Sequence, residues 1–329
     1  MSMNYTRNWT AFHIFLHDVE QQERFIREWL SVKVKDIKAS GSADAWFFLR
    51  YWDGGPHVRV RFLNLKNAEA LQQEIQSAAQ QYISVTPLTA EQYYGNHSFD
   101  GEPVDFASLQ WHDDGSVEMF DYEPEFARYG GELAITVNED LFYISSEIAQ
   151  AIIAATQGKI EQRLQLSMKI IACSIFAINP EPMALQQFAT YYAEFWRGHA
   201  GGINPGSPDV QLQATLETFR QETINNSSAG GSSGGSFGVI GTWVNFLKKS
   251  VPQWQKIYED GGLISPVDGS KVSSTEQFHM AIMSMVGSQI HMLNNRLGVT
   301  PAYEFVLASR IRDALATNAS ATSSPTEIG

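Results

Sequence analysis

The sequence predicts an α+β fold: an N-terminal half with helices around an antiparallel sheet, and a mostly helical C-terminal half, packed as one unit. Three observations carry this reading. Strand-like runs alternate with amphipathic segments before residue 130. Long patterns of helical period dominate after Gly130-Gly131. The 329 residues are 43% apolar and 12% aromatic, a globular composition with enough apolar surface for a large core. The expected regions are 1–130, an α/β half, and 131–329, a helical half.

WTAFHIFL (9–16) reads as a strand. DVEQQERFIREWL (18–30) reads as a helix, with Asp18 as its N-cap. WFFLRYW (46–52) and HVRVRF (57–62) flank Asp53-Gly54-Gly55-Pro56 as a β-hairpin with a four-residue loop. NAEALQQEIQSAAQQY (67–82) has the spacing of an amphipathic helix, and SVEMFDY (116–122) of a further strand. The Gly-, Asn-, Asp- and Pro-rich stretch from Pro87 to Gly115 reads mostly as loop. Helices are expected over 139–157, 160–178, 182–197, 209–225, 239–259, 275–297 and about 301–317. SSAGGSSGGSFG (227–238) reads as a flexible loop, and the last residues as a frayed tail.

Charge narrows the function. The formal net charge is -13, which disfavours contact with a phosphate backbone, so no direct nucleic-acid binding is expected. Clustered arginines then call for a small bound anion. Cys173 is the only cysteine, which rules out an internal disulfide and a cysteine metal site, and its apolar surroundings suit a buried small hydrophobe. No N-terminal apolar segment and no bilayer-length run is present, so a cytoplasmic protein without membrane contact is expected. HExxH, Walker, GxGxxG and GxSxG motifs are absent, and no metal or cofactor is expected.

Three stretches carry candidate chemistry. In HVRVRF, alternation puts His57, Arg59 and Arg61 on one face. With a loop of residues 53–56, Trp52 faces His57, Arg50 faces Arg59 and Phe48 faces Arg61. Opposed arginines destabilise a sheet unless a carboxylate or an anionic ligand offsets them. A solvated face with arginine stems on aromatics is the competing reading. In YEPEFARYGG (122–131), a helical turn over 124–128 would let Glu125 pair with Arg128, and Gly130-Gly131 would end it and permit close packing. Taken alone this stretch reads as a linker held by a surface ion pair. On the 275–297 helix, Phe278, Ile282, Met285, Val286, Gln289, Leu293 and Leu297 form the inward stripe. His291 lies opposite, near Ser284, Ser288 and Asn295. That setting suits a general acid or base, but an exposed surface histidine is the commoner outcome. Arg296 falls on the stripe, so either the helix ends before it or it is buried and paired.

Together, WFFLRYWDGGPHVRVRF, YEPEFARYGG and SQIHMLNNRLG resemble three signature stretches of the glutamate-elimination domain of class I lanthipeptide dehydratases, also called the thiopeptide-type bacteriocin biosynthesis domain. The resemblance runs from about Trp9 to about Leu315. It implies a stand-alone lyase that removes glutamate from glutamylated Ser or Thr in a precursor peptide, leaving dehydroalanine or dehydrobutyrine. By motif it implies catalytic roles for Arg59, Arg61, Arg128 and His291, with Glu125 as a further site residue. Arg50, His57, Asn295 and Arg296 are expected to contact substrate. It also implies a separate tRNA-dependent glutamylation protein as partner. Thiopeptide pyridine synthases, which join two dehydroalanines in a formal cycloaddition, share the superfamily. As a class they do not keep the full arginine–histidine set, and this sequence does. A non-catalytic peptide-binding scaffold is the third reading.

Overall fold

The computed structural model describes residues 5–86, 88–95, 98–99, 102–103, 110–206, 210–226 and 238–321. Residues 227–237 of the expected flexible loop and 322–329 of the expected tail lie outside the described residues. The chain forms two compact units. The first comprises Met1–Phe126, Asn138–Gly158 and Asn295–Gly298, and the second Ala127–Val137, Lys159–Asn294 and Val299–Gly329. The α+β class expected from the sequence is the one observed: sheet in the N-terminal part, helices in the C-terminal part.

In the first unit, β1 (Trp9–Phe15) leads into α1 (Val19–Arg24). Asp18 caps α1 by accepting a 3.0 Å hydrogen bond from the Gln21 amide. The helix does not stop near residue 30. It passes through a π-helical stretch, Phe25–Leu30, into α2 (Ser31–Ser40) and ends at Gly41 in the left-handed region. Next come β2 (Ala45–Tyr51), β3 (His57–Leu63) and α3 (Ala68–Ala79). The stretch read as mostly loop contains a short helix, α4 (Ala90–Tyr94), started by a Thr89 capping box, and a small ladder of β4 (Ser98–Phe99) with β5 (Glu102–Pro103). Strand β6 (Val117–Asp121) completes an antiparallel sheet of order β2-β3-β1-β6. Phe12, Ile14, Phe48, Val58, Val60 and Phe62 are buried on one face, as strand alternation requires.

The hairpin register differs from the expected one by one residue. Tyr51 pairs with His57, Leu49 with Arg59, Phe47 with Arg61, and Arg50 with Val58. The loop therefore holds five residues, Trp52–Pro56. Tertiary partners set its length. The Tyr94 hydroxyl accepts from the Gly54 amide and donates to the Trp52 carbonyl, and the Gly54 carbonyl accepts from the His112 amide. No arginines stand opposed across the hairpin, and Arg50 lies on the face opposite Arg59 and Arg61.

The helices are α5 (Ile135–Thr156), α6 (Ile160–Ile178), α7 (Pro182–Trp196), α8 (Val210–Asn225), α9 (Gly238–Glu259), α10 (Thr275–Leu297) and α11 (Pro301–Ala321). In the second unit α11 packs along α7, and α6 packs on α8 and α9. The predicted inward stripe of α10, from Phe278 to Leu297, is buried throughout. Cys173 is fully buried, and burial pushes its thiol up to about 11, which fits a packing role. Among the described residues no helix is long and apolar enough to cross a membrane.

Gly130 and Gly131 end the 126–130 turn with φ of 85° and 92°. A Cβ on Gly130 would lie 2.8 Å from Met285 Sδ and 2.9 Å from Ala134 Cβ. Gly130→Ala combines a left-handed backbone with overpacking. It should cost about 2–4 kcal/mol, read as a lower urea midpoint at unchanged slope. A midpoint equal to wild type would show that the second unit absorbs the methyl freely.

Candidate functional site

Strand β3 places His57, Arg59 and Arg61 on one face, between Tyr51, Leu49 and Phe47 of β2 and Phe15, His13 and Ala11 of β1. The Arg59 guanidinium lies 3.6 Å from the centroid of the Tyr51 ring. Arg61 is held between Phe47 at 5.2 Å and Tyr122 at 4.9 Å. Arg59 Nε donates to His57 Nε2 at 2.9 Å. Arginine offers no acceptor, so His57 Nε2 carries no proton. The proton is on Nδ1, which donates to the Gly55 carbonyl at 2.7 Å.

Burial dominates the electrostatics of this face. It lowers His57 to about 3 and His13 to about 2, with Arg59 adding to both shifts. His13 stacks on His57 at 4.9 Å and on Phe120 at 4.3 Å. Burial also lowers Arg59, and brings Arg61 to about 10, still cationic at neutral pH. Glu125 acts on both arginines through space. Among the described residues, neither arginine has a carboxylate at salt-bridge distance, and Arg61 Nε is buried without a hydrogen-bond partner. The hairpin thus presents two guanidiniums from strand positions about 7 Å apart along the backbone, supported by rings and a neutral imidazole.

Three residues expected to contact substrate bond to the fold itself. The Asn295 carboxamide accepts from the Arg50 amide at 2.8 Å and donates to the Arg50 carbonyl at 2.9 Å, pairing the free edge of β2. Arg50 Nε donates to the Arg296 carbonyl at 3.3 Å, and its guanidinium lies 3.8 Å from Glu23. Helix α10 continues through Arg296, which is fully buried. Its Nε donates to Ser146 Oγ at 3.0 Å, and its guanidinium lies over Phe142.

In the second unit, His291 is not an exposed surface histidine: its side chain is 15% accessible. Its Nδ1 lies 2.7 Å from Glu304 Oε1 on α11. The carboxylate of Glu304 is fully buried and also accepts from Asn294 Nδ2 at 3.1 Å and from the Tyr192 hydroxyl. The Trp196 ring covers the imidazole at 4.6 Å. Arg128 Nε donates to Ser288 Oγ at 3.2 Å. Ser288 is one helical turn before His291, so Arg128 is anchored on the face of α10 that bears the histidine. The sequence reading missed Glu304, Tyr192, Tyr51 and Tyr122. Tyr51 and Tyr122 lie inside two of the three signature stretches. Glu304 stood in the first turn of a helix, where an acidic residue is ordinary. Among the described residues, no three His, Cys, Asp or Glu side chains are grouped to hold a metal ion.

The neutral histidines give stability a pH signature. An unfolded imidazole titrates near 6.5, while His13 and His57 stay neutral down to about 2 and 3. Their contribution is complete above pH 6.5. It is lost as pH falls through the window from 6.5 towards 3, because the unfolded chain takes up the protons. Each adds about 1.4 kcal/mol of lost stability per pH unit there. His13→Phe should flatten the slope of unfolding free energy between pH 6 and 4 by about that amount, measured by urea titration at each pH. An unchanged slope would mean that the His13 ring does protonate in the folded protein.

The model of the lantibiotic biosynthesis dehydratase C-terminal family matches residues 9–315. No curated protein sequence matches the chain. Among solved structures, TsrL has a TM-score of 0.60 at 14% identity, over 94% of this chain and 97% of its own. TbtD, a pyridine synthase from thiomuracin biosynthesis, has a TM-score of 0.65 at 15% identity, over 97% of this chain and 100% of its own. MibB, a tRNA-dependent lantibiotic dehydratase from Microbispora sp. 107891, has a TM-score of 0.51 at 18% identity, over 96% of this chain and 28% of its own. These likenesses establish a shared fold, and the match over residues 9–315 establishes descent: the chain belongs to the lantibiotic dehydratase C-terminal family.

Proposed function

We propose that the chain is a lyase that eliminates glutamate from glutamylated Ser or Thr residues of a ribosomal precursor peptide, in lanthipeptide or thiopeptide-like biosynthesis. One observation carries the reading: Arg59 and Arg61 stand side by side on aromatic supports without a carboxylate at salt-bridge distance among the described residues. A site built to hold a carboxylated leaving group needs such a pair.

The chemistry distributes as follows. A base takes the α-proton, the electron pair forms the Cα–Cβ double bond, and the Cβ–O ester bond breaks as glutamate departs with a free carboxylate. His291 is the acid/base. Arg59, Arg61 and Arg128 bind the departing carboxylates and stabilise the negative charge that builds on the amide oxygen. Glu125 balances the hairpin charges and can shuttle a proton. A tRNA-dependent glutamylation step has to supply the substrate, and the fold likeness to MibB supports that placement. A pyridine synthase is the rival reading, favoured by the end-to-end fold match to TbtD.

Mass spectrometry of a glutamylated peptide incubated with the protein separates the two. Loss of glutamate with gain of a dehydro residue supports the lyase, and macrocyclisation of an already dehydrated peptide supports the synthase. Arg61→Ala should slow elimination by about 10²–10³-fold and His291→Ala by about 10²–10⁴-fold. Full elimination by His291→Ala would remove the histidine from the mechanism.

A further inference from the structure

We propose that Glu304 is a positioning residue for His291: it fixes the imidazole proton on Nδ1 and leaves Nε2 as the working nitrogen. This rests on the acid/base role assigned to His291 above. A fully buried carboxylate is strongly unfavourable unless its lone pairs are satisfied. Glu304 meets that condition with three donors from two helices: His291 Nδ1, Asn294 Nδ2 and the Tyr192 hydroxyl. The Asn294 amide is itself oriented, because Ser167 Oγ donates to its Oδ1 at 2.7 Å and so turns its NH2 towards Glu304.

An ionised carboxylate only accepts, so the 2.7 Å contact makes His291 Nδ1 the donor. A neutral imidazole then has its lone pair on Nε2, at the opposite edge of the ring. Trp196 covers the ring face and restrains its rotation. The groups that touch the pair are Tyr192 and Trp196 of α7 and Asn294 of α10; Ser167 of α6 holds Asn294, and Arg128 bonds to Ser288 one turn before His291. Glu304 is thus the carboxylate facing His291 at contact distance among the described residues, and its charge stabilises the imidazolium formed when Nε2 takes a proton.

Ring-nitrogen NMR of the wild-type protein should show the neutral His291 with its proton on Nδ1, and Glu304→Ala should show a mixture of tautomers. Glu304→Gln should keep the fold, lower kcat for elimination by about 10²–10⁴-fold and leave KM unchanged. Glu304→Asp should recover part of kcat. A wild-type spectrum with the proton on Nε2 would overturn the proposal without any variant. Wild-type kcat in Glu304→Gln would also overturn it, provided that His291→Ala is inactive. If His291→Ala stays active, it is the acid/base reading of the preceding subsection that falls.

Discussion

The register of β3 is the constraint on which the first unit depends. This strand is paired on both sides, with β1 and with β2. Because side chains alternate, a slip of one residue would move Val58, Val60 and Phe62 out of the core and turn Arg59 and Arg61 into it. Two ladders and a loop pinned by Tyr94 and His112 fix one answer. With that register, the arginines meet Tyr51, Phe47 and Tyr122 on neighbouring elements. The rings lower the cost of partial burial without neutralising the charge, which a carboxylate would have done.

Histidine plays opposite parts in the two units. On the sheet, His57 is an acceptor: its bare Nε2 receives Arg59, and burial beside cations keeps it and His13 neutral. On α10, His291 is a donor to a buried carboxylate. The first environment suits a rigid support, since its protonation state does not change near neutrality. The second suits a group that has to gain and lose a proton. The side-chain type is the same, and the neighbours decide what it does.

The fold does not decide the reaction. A dehydratase and a pyridine synthase both share it with this chain at identities below 20%. What distinguishes them has to lie in side chains placed on common elements. On those elements this chain carries two arginines on a central strand and an imidazole–carboxylate pair on two helices.

Much of the structure was legible in the residues. Apolar period marked the long helices to within a few residues, alternation in HVRVRF put Arg59 and Arg61 on one face, and the inward stripe of α10 is buried as its period required. These are local properties, set by backbone geometry and by which side chains avoid water. The face of Arg50, the edge pairing by Asn295 and the partners of His291 were not legible. The loop length that sets the hairpin register depends on Tyr94 and His112, and Glu304 reaches His291 from another helix. Contacts between segments distant in sequence decide register and protonation, and a pattern of period two or 3.6 carries no information about them.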